Sequence, residues 1–218
     1  MTERPPIPTA LTASRIVAIA RGASTTHVAA AVDVLMAEGI NCIELTLTMP
    51  GAIDSMSALV RDVGDSAFIG AGTVLTLDQA RACIDAGARF LVAPSIVPDV
   101  VEFASTAGIP CFPGAFTPSE IVSAWLSGAA AVKLFPASAG GPRYLRDVRA
   151  PLPDIPIVPT GGVGIDDIPA YLAAGAIAVG LGGPLFGNVL NDGDFAGLHT
   201  RARGAVEAVR QSREGTPV

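Results

Sequence analysis

The sequence predicts an α/β fold, a parallel eight-stranded (β/α)8 TIM barrel in which residues 1–218 form a single domain. The chain has 218 residues, 50% of them hydrophobic, and this length is enough to bury the core of one such barrel. Eight short apolar runs alternate with helical segments, and strands that alternate with helices form parallel sheets. The runs begin about every 20 to 26 residues, which leaves room for one crossover helix in each interval.

Each predicted strand is an apolar run of five or six residues next to a turn that contains Gly, Pro, Ser or Thr. In chain order the predicted strands are 16–20 (IVAIA), 42–47 (CIELTL), 67–72 (AFIGAG), 90–94 (FLVAP), 110–114 (PCFPG), 130–135 (AAVKLF), 155–160 (IPIVPT) and 177–182 (IAVGLG).

The predicted helices lie between these strands. They start near Ser, Thr, Asp or Pro and stop at Gly, the residues that favour helix beginnings and ends. Examples are 25–39, 75–87, 118–128 and 166–175. Residues 1–14 form a Pro-rich lead into the fold, and we expect residues 213–218 to fray from a closing helix.

An open, doubly wound sheet is the alternative fold. That fold would normally carry a Gly-rich dinucleotide-binding turn after its first strand, and the segment ARGAS at 20–24 is not such a turn. The barrel is therefore the better prediction, and it places active-site groups at the C-terminal ends of its strands.

Composition excludes two classes of partner. The net charge of −6 and a pI near 4.8, without a basic block, argue against nucleic acid. The uncharged run 168–191 is long enough to span a bilayer, but glycines and prolines divide it into a helix end, a short strand and a loop. We therefore expect no membrane association.

The first residues, MTERPPIPTALTASR, lack the basic and apolar regions of a secretory signal, so we expect a cytoplasmic protein. Cys42, Cys83 and Cys111 are scattered and flanked by apolar residues, which predicts buried free thiols. A metal centre would need a cluster of His and carboxylates at strand ends, and the chain has only two histidines. We expect no metal and no cofactor.

Two ionisable residues are predicted to face the barrel axis. The strand period of two turns Glu44 inward between Ile43 and Leu45, and it turns Lys133 inward between Val132 and Leu134. Lys133 is the one lysine of the chain, beside thirteen arginines.

A buried ion pair between Lys133 and Glu44 is the structural interpretation of this arrangement. Removing two charges from water costs several kcal/mol per ion, and an arginine would serve a plain ion pair better. A lysine, unlike an arginine, can act as a neutral amine that forms a Schiff base with a carbonyl. Glu44 is the candidate to move protons in that reaction.

Eight segments of the chain resemble the bacterial 2-keto-3-deoxy-6-phosphogluconate (KDPG) aldolase family, whose members also cleave 4-hydroxy-2-oxoglutarate (KHG). They cover nearly the whole sequence in order: VAIARG, IELTLTMP, GAGTVLT, PGAFTPSE, VKLFPA, GGPRYLR, PTGGV and VGLGG. The resemblance implies a metal-independent class I aldolase, a carbon–carbon lyase of carbohydrate metabolism that makes pyruvate, as in the Entner–Doudoroff pathway. It also implies that Lys133 forms the Schiff base, that Glu44 is the general acid and base, and that the protein is a homotrimer.

The resemblance also assigns substrate-binding residues. Thr73 and Thr160 line the pyruvyl site, and Pro94 and Phe135 are its walls. Some members have an arginine where this chain has Thr48; others have threonine there and an arginine at the end of the first strand, which here is Arg21. A guanidinium there can hold the carboxylate of a 2-oxo acid, although Arg21 also fits the description of an ordinary surface arginine.

Glycine pairs follow the seventh and eighth strands, where barrels bind phosphate through backbone N–H groups. The pairs are Gly161–Gly162 and Gly182–Gly183, and tight turns alone would also explain them. The family usually has Ser after the second pair, whereas this chain has Pro184, which offers neither a hydroxyl nor an N–H.

We therefore expect an aldolase that converts KDPG, or its 6-phosphogalactonate epimer (KDPGal), to pyruvate and glyceraldehyde 3-phosphate. Three alternatives stay open: a KHG aldolase acting on a non-phosphorylated substrate, a phosphate-anchored barrel isomerase or synthase in which Lys133 is only a cation, and a non-catalytic protein that binds a 2-oxo acid.

Overall fold

A computed structural model of the chain describes residues 4–214. This part of the chain contains nine short strands, and helices separate all of them except the fifth and the sixth. Every strand pairing is parallel. The strands are β1 (Ile16–Ala20), β2 (Cys42–Thr46), β3 (Phe68–Gly72), β4 (Leu91–Val92), β5 (Cys111–Phe112), β6 (Gly114–Ala115), β7 (Val132–Leu134), β8 (Ile157–Pro159) and β9 (Val179–Leu181). The predicted parallel α/β architecture is confirmed.

The strands form two sheets instead of the one continuous eight-stranded sheet that the sequence predicts. Six strands follow the order β5-β4-β3-β2-β1-β9, and three follow the order β6-β7-β8. The predicted strand 110–114 is divided at Pro113 into β5, which pairs with β4, and β6, which pairs with β7. Proline has no N–H to donate to a sheet ladder, which interrupts the strand there.

The two sheets also meet at their other edge strands, which are β8 and β9. A single parallel bridge joins Thr160, after β8, to Gly180 in β9, and the Ile177 N–H donates to the Ile157 carbonyl at 3.1 Å.

Eleven α-helices of the described residues surround the strands. They are α1 (Thr9–Ser14), α2 (Val28–Ala37), α3 (Ala52–Val63), α4 (Leu77–Asp85), α5 (Pro98–Thr106), α6 (Pro118–Leu126), α7 (Gly141–Arg149), α8 (Ile168–Ala173), α9 (Gly183–Phe186), α10 (Val189–Asp192) and α11 (Phe195–Glu214). Capping boxes of Thr76 with Gln79 and of Thr117 with Glu120 fix the starts of α4 and α6. No helix in residues 4–214 is both long enough and apolar enough to cross a membrane.

The core has two parts because successive strand residues face opposite sides. Outward residues such as Ile43 and Leu134 pack against the helices. Inward residues form a smaller cluster centred on Phe90 and Phe112. Above this cluster, toward the C-terminal ends of the strands, the inward residues become polar.

The ends of the chain close this arrangement. The lead-in contains α1, which contacts β1 and β2, and its Leu11 is fully buried against the inner cluster. At the other end α11 continues to Glu214, and the remainder of the tail predicted to fray, residues 215–218, lies outside the described residues.

Candidate active site

One cavity of about 400 Å³ opens at the C-terminal ends of the strands. All twelve residues that the sequence suggested for the site line it: Arg21, Glu44, Thr48, Thr73, Pro94, Lys133, Phe135, Thr160, Gly161, Gly162, Gly182 and Gly183. Segments that are far apart in the sequence thus meet in one space.

Lys133 and Glu44 lie inside this cavity on β7 and β2. Their side chains are nearly buried, with 8% of Lys133 and 2% of Glu44 exposed. Nζ of Lys133 lies 5.0 Å from the centre of the Phe135 ring, a favourable distance for a cation over an aromatic face. No ion pair joins Lys133 to Glu44 or to another carboxylate of residues 4–214. The amine is therefore not tied up by a salt bridge.

Burial dominates the ionisation of Glu44. Loss of water around the carboxyl raises its pKa above the ordinary value, while the charges of Lys133 and Arg21 oppose that rise. Gly72, in the neighbouring strand β3, provides the space for this side chain, because a Cβ at Gly72 would overlap the Glu44 carboxyl group. A carboxyl with a raised pKa is a stronger base than an ordinary carboxylate, and once protonated it can return the proton.

The ends of β1 and β2 are joined by threonine hydroxyls. Oγ1 of Thr46 donates to the Ala20 carbonyl at 3.1 Å and lies 3.0 Å from Oγ1 of Thr48. Thr46 is 3% exposed, whereas Thr48 and Arg21 are exposed at the cavity mouth. Arg21, which directly follows Ala20, thus projects from a strand end that Thr46 fixes.

Thr73 follows β3 in an unusual backbone conformation. Its φ is +62°, in the left-handed region that β-branched residues rarely adopt, and such a conformation costs about 1–3 kcal/mol. The Val74 N–H donates to the Val92 carbonyl at 3.1 Å, which holds this loop against β4. The strain is located at a residue that lines the cavity.

Backbone hydrogen bonds connect the segments that follow β7 and β8. The Ala137 N–H donates to the Thr160 carbonyl at 2.8 Å, and the Ser138 N–H donates to the Gly161 carbonyl at 3.0 Å. Gly161 has φ +88°, and a Cβ there would lie 2.8 Å from the Phe135 ring. Only glycine fits this place without moving Phe135.

The two predicted glycine pairs lie side by side at the cavity. Within residues 4–214, no acceptor takes a hydrogen bond from the backbone N–H of Gly161, Gly162, Gly182 or Gly183. Pro184 follows the second pair, inside the four-residue helix α9. The arrangement leaves backbone donors available to an anionic ligand.

Five further residues line the cavity: Ile19, Thr46, Val163, Gly180 and Pro184. Sequence reasoning did not select Thr46 for the site, although the same strand period that turns Glu44 inward turns Thr46 inward. The sequence also indicated Gly180, because it lies two residues before Gly182 in the same predicted strand and therefore on the same face. A Cβ at Gly180 would overlap the Thr160 hydroxyl.

The cysteines are free and buried, as the sequence predicts. Burial raises the pKa of the Cys83 thiol to about 11 and that of the Cys111 thiol to about 12. In the part of the chain that the structure describes, no three His, Cys, Asp or Glu side chains form a group that could hold a metal ion. The ionisable residues that line the cavity are Arg21, Glu44 and Lys133.

The family model described as "KDPG and KHG aldolase" matches residues 7–200. A probable 2-dehydro-3-deoxy-6-phosphogalactonate aldolase of Rhizobium meliloti (strain 1021) is 35% identical over 195 residues, which are 89% of this chain and 92% of that protein.

Two solved structures agree with this match. One described as "Native KDPGal structure" has a TM-score of 0.86 and 33% identity, covering 91% of this chain and 96% of its own. The KDPG aldolase of Legionella pneumophila, with pyruvate captured as a covalent carbinolamine intermediate, has a TM-score of 0.79 and 26% identity, covering 90% and 96%. The chain therefore belongs to the family of KDPG and KHG aldolases, which are carbon–carbon lyases.

Proposed function

We propose that this aldolase cleaves a 4-hydroxy-2-oxo acid to pyruvate and an aldehyde through an iminium on Lys133, with Glu44 as general acid and base. One observation carries the proposal: the only lysine of the chain is nearly buried in the cavity, free of any salt bridge to the described residues, in the same space as a carboxyl with a raised pKa.

The reaction begins at the 2-oxo group. The neutral amine of Lys133 adds to this carbonyl to give a carbinolamine, which loses water to form the iminium. Glu44, as a carboxylate, then takes the proton of the 4-hydroxyl while the bond between C3 and C4 breaks and its electrons move into the iminium. The aldehyde leaves and an enamine stays on Lys133.

The same Glu44 then returns its proton to C3 of the enamine, which restores an iminium, now of pyruvate. Water adds to this iminium and releases pyruvate and the free amine. One carboxyl serves both steps because it gains a proton and gives it up again within one turnover.

The remaining residues of the cavity receive the roles that the sequence suggests. Arg21 holds the substrate carboxylate, and Thr73 and Thr160 line the pyruvyl site between Pro94 and Phe135. Thr48 contacts the substrate at the end of β2.

The substrate is proposed to be KDPG or KDPGal, whose aldehyde half is glyceraldehyde 3-phosphate. The backbone N–H groups of Gly161, Gly162, Gly182 and Gly183 are without acceptors among residues 4–214, which supports a phosphate there. Pro184 supplies no N–H and no hydroxyl, and this favours the alternative, KHG, which has no phosphate.

We also propose a closed architecture and an assembly for this protein. The Thr160–Gly180 bridge and the division at Pro113 are proposed to be the two seams of one closed eight-stranded barrel. A homotrimer, which the family resemblance implies, and a cytoplasmic location stay predictions.

Incubation with pyruvate and borohydride, followed by intact mass and peptide mapping, tests the proposal. We expect one reduced pyruvyl adduct, on Lys133. An unchanged mass together with binding of a phosphorylated ligand would instead favour the phosphate-anchored isomerase or synthase, in which Lys133 acts only as a cation. An unchanged mass with binding of pyruvate alone would favour a non-catalytic protein that binds 2-oxo acids.

A further inference from the structure

Helix α9 is a single turn that begins at the cavity. Gly182 and Gly183, at its start, line the cavity, and their backbone N–H groups have no acceptor among residues 4–214. The Phe186 N–H donates to the Gly182 carbonyl at 3.0 Å, and the Gly187 N–H donates to the Gly183 carbonyl at 2.8 Å. These hydrogen bonds join the two ends of α9 in one compact unit, so a shift at one end moves the other.

Arg201, on the long helix α11, holds the far end of this turn. Its Nε donates to the Leu185 carbonyl at 2.8 Å, and its Nη2 donates to the Phe186 carbonyl at 3.0 Å. Its Nη1 lies 3.7 Å from the Asp194 carboxylate. A cation is favourable at the C-terminal end of a helix, where carbonyl groups lack partners within the helix. A four-residue helix is too short to be stable by itself, so this contact fixes α9 from outside.

Two glycines make room for the guanidinium. A Cβ at Gly187 would lie 2.9 Å from Cζ of Arg201, and a Cβ at Gly197 would lie 2.8 Å from its Nη1. Gly187 also has a φ of +55°, a conformation that glycine adopts without strain. The Arg201 side chain is 27% exposed, so most of it is enclosed between α9 and α11. Its hydrogen bonds to α9 are therefore partly shielded from water, which strengthens them.

Pro184 makes the position of this turn more important. Proline has neither an N–H nor a hydroxyl, so the donors that the turn can offer to a ligand are the backbone N–H groups of Gly182 and Gly183. A side-chain hydroxyl can rotate to meet a ligand, whereas a backbone N–H points where the chain places it. Recognition at this side of the cavity thus depends on how firmly α9 is held.

We propose that Arg201 is a positioning residue for phosphate recognition. By holding α9, it keeps the N–H groups of Gly182 and Gly183 at the cavity edge, where they bind the phosphate of the aldehyde half. This inference rests on the proposed function with its phosphorylated substrates. Lys133 and Glu44 lie on other strands, so the effect of Arg201 falls on the binding of the aldehyde and not on the Schiff base.

The test compares two aldehydes in the condensation with pyruvate. D-glyceraldehyde 3-phosphate and D-glyceraldehyde differ only in the phosphate, so a change confined to the first reports on phosphate binding. We would measure kcat and KM for both in the wild type, in Arg201→Met and in Arg201→Lys. Arg203→Met is the matched control, because Arg203 lies on the same helix and pairs with Glu38 instead of α9.

Arg201→Met removes the donors at the Leu185 and Phe186 carbonyls. We expect KM for D-glyceraldehyde 3-phosphate to rise about tenfold, the size of one hydrogen bond to a charged group. The value of kcat for this aldehyde, and both constants for D-glyceraldehyde, should stay near those of the wild type. Arg201→Lys should give a smaller rise, since an ammonium group can reach one of the two carbonyls, and Arg203→Met should change neither aldehyde.

A merely structural role for Arg201 would lower activity with both aldehydes in proportion, and that result overturns the inference, as does an unchanged KM for the phosphorylated aldehyde. Should Arg201→Met fail to fold, Arg201→Lys decides by the same comparison. Borohydride trapping of pyruvate on the wild type separates these outcomes from failure of the proposed function. An adduct without a preference for the phosphorylated aldehyde removes the phosphate assignment and this inference but leaves the Schiff-base mechanism, whereas absence of the adduct removes the proposed function itself.

Discussion

The α-carbon of Gly72 lies directly against the carboxyl group of Glu44, so that any side chain at position 72 would occupy the space of that carboxyl. The two residues belong to neighbouring strands and are not paired in register, since Glu44 faces Gly70 and Thr46 faces Gly72. The place of the proposed general acid and base is thus set by a missing side chain on the next strand.

Gly72→Ala should displace Glu44 and leave the fold intact, because the clash involves the end of a flexible side chain. We expect kcat/KM to fall about 100-fold, the usual contribution of a positioned general acid or base, and stability to fall by about 1–2 kcal/mol. Coupled detection of pyruvate release and a thermal melt would measure the two effects. Gly204→Ala is the control and should keep wild-type activity, because a Cβ added at this position of α11 would lie 4.0 Å from its nearest neighbour, a methyl group of Ile165. Wild-type activity of Gly72→Ala would show that Glu44 need not occupy its observed position.

Lys133→Arg keeps a positive charge but cannot form an iminium. We expect no pyruvyl adduct after borohydride treatment and turnover below about one-thousandth of the wild type. Binding of the substrate carboxylate should survive in part, which calorimetry with pyruvate would detect. Substantial turnover by this variant would contradict Schiff-base chemistry and would indicate that Lys133 acts only through its positive charge.

The raised pKa of Glu44 has a consequence for stability. The pKa of this carboxyl is higher in the folded state than in the unfolded state, so the group destabilises the fold at pH values above its ordinary pKa. Above that pH the folded protein must either hold a proton that the unfolded chain has released or bury a poorly solvated anion. Glu44→Gln should therefore melt at a higher temperature than the wild type at pH 8. The difference should vanish as the pH falls below the ordinary value of 4.5, where the carboxyl is protonated in both states. A difference that is constant from pH 4 to pH 8 would contradict the raised pKa.

The three cysteines should be inert in the folded protein. Burial raises the pKa of all three thiols, to about 11 for Cys83 and about 12 for Cys111, so almost no thiolate exists at pH 8. A thiol-reactive chromogenic disulfide should find no reactive group in the native protein at pH 8 and three after denaturation. Rapid reaction of one thiol without denaturant would reveal local opening around that cysteine.

Pro184→Ser would restore a hydroxyl and an N–H beside Gly183. If the substrate carries a phosphate at this place, KM for the phosphorylated substrate should fall about tenfold, because a hydrogen bond to a charged group is among the stronger ones. The kinetics with glyoxylate serve as the internal control and should not change. An equal effect on both substrates would place the phosphate elsewhere or indicate a substrate without one.

The alternation of strands and helices was predictable because it depends on local patterns. Strands β1, β2 and β3 occupy nearly the predicted ranges. Helices α4 and α6 begin within two residues of the predicted starts at 75 and 118. The period of two along β2 and β7 was sufficient to predict that Glu44 and Lys133 face a common space.

Other features depend on contacts between distant segments and leave no local signal. Nothing in the sequence around Thr73 predicts a positive φ, since β-branched residues disfavour it. The hydrogen bonds from Thr48 through Thr46 to Ala20 exist only because β1 and β2 lie side by side. Pro113 is a local sign that the predicted strand 110–114 is interrupted, but the change of neighbour from β4 to β7 at that point depends on distant segments.

The position of α1 bears on how this enzyme could be used on a solid support. Helix α1 contacts the strands β1 and β2 and buries Leu11 in the inner cluster, at the end of the strands opposite Arg21 and Lys133. Attachment to a resin through this face would leave the cavity mouth directed toward the flowing solution. An immobilised catalyst oriented in this way should keep its access to both pyruvate and the aldehyde.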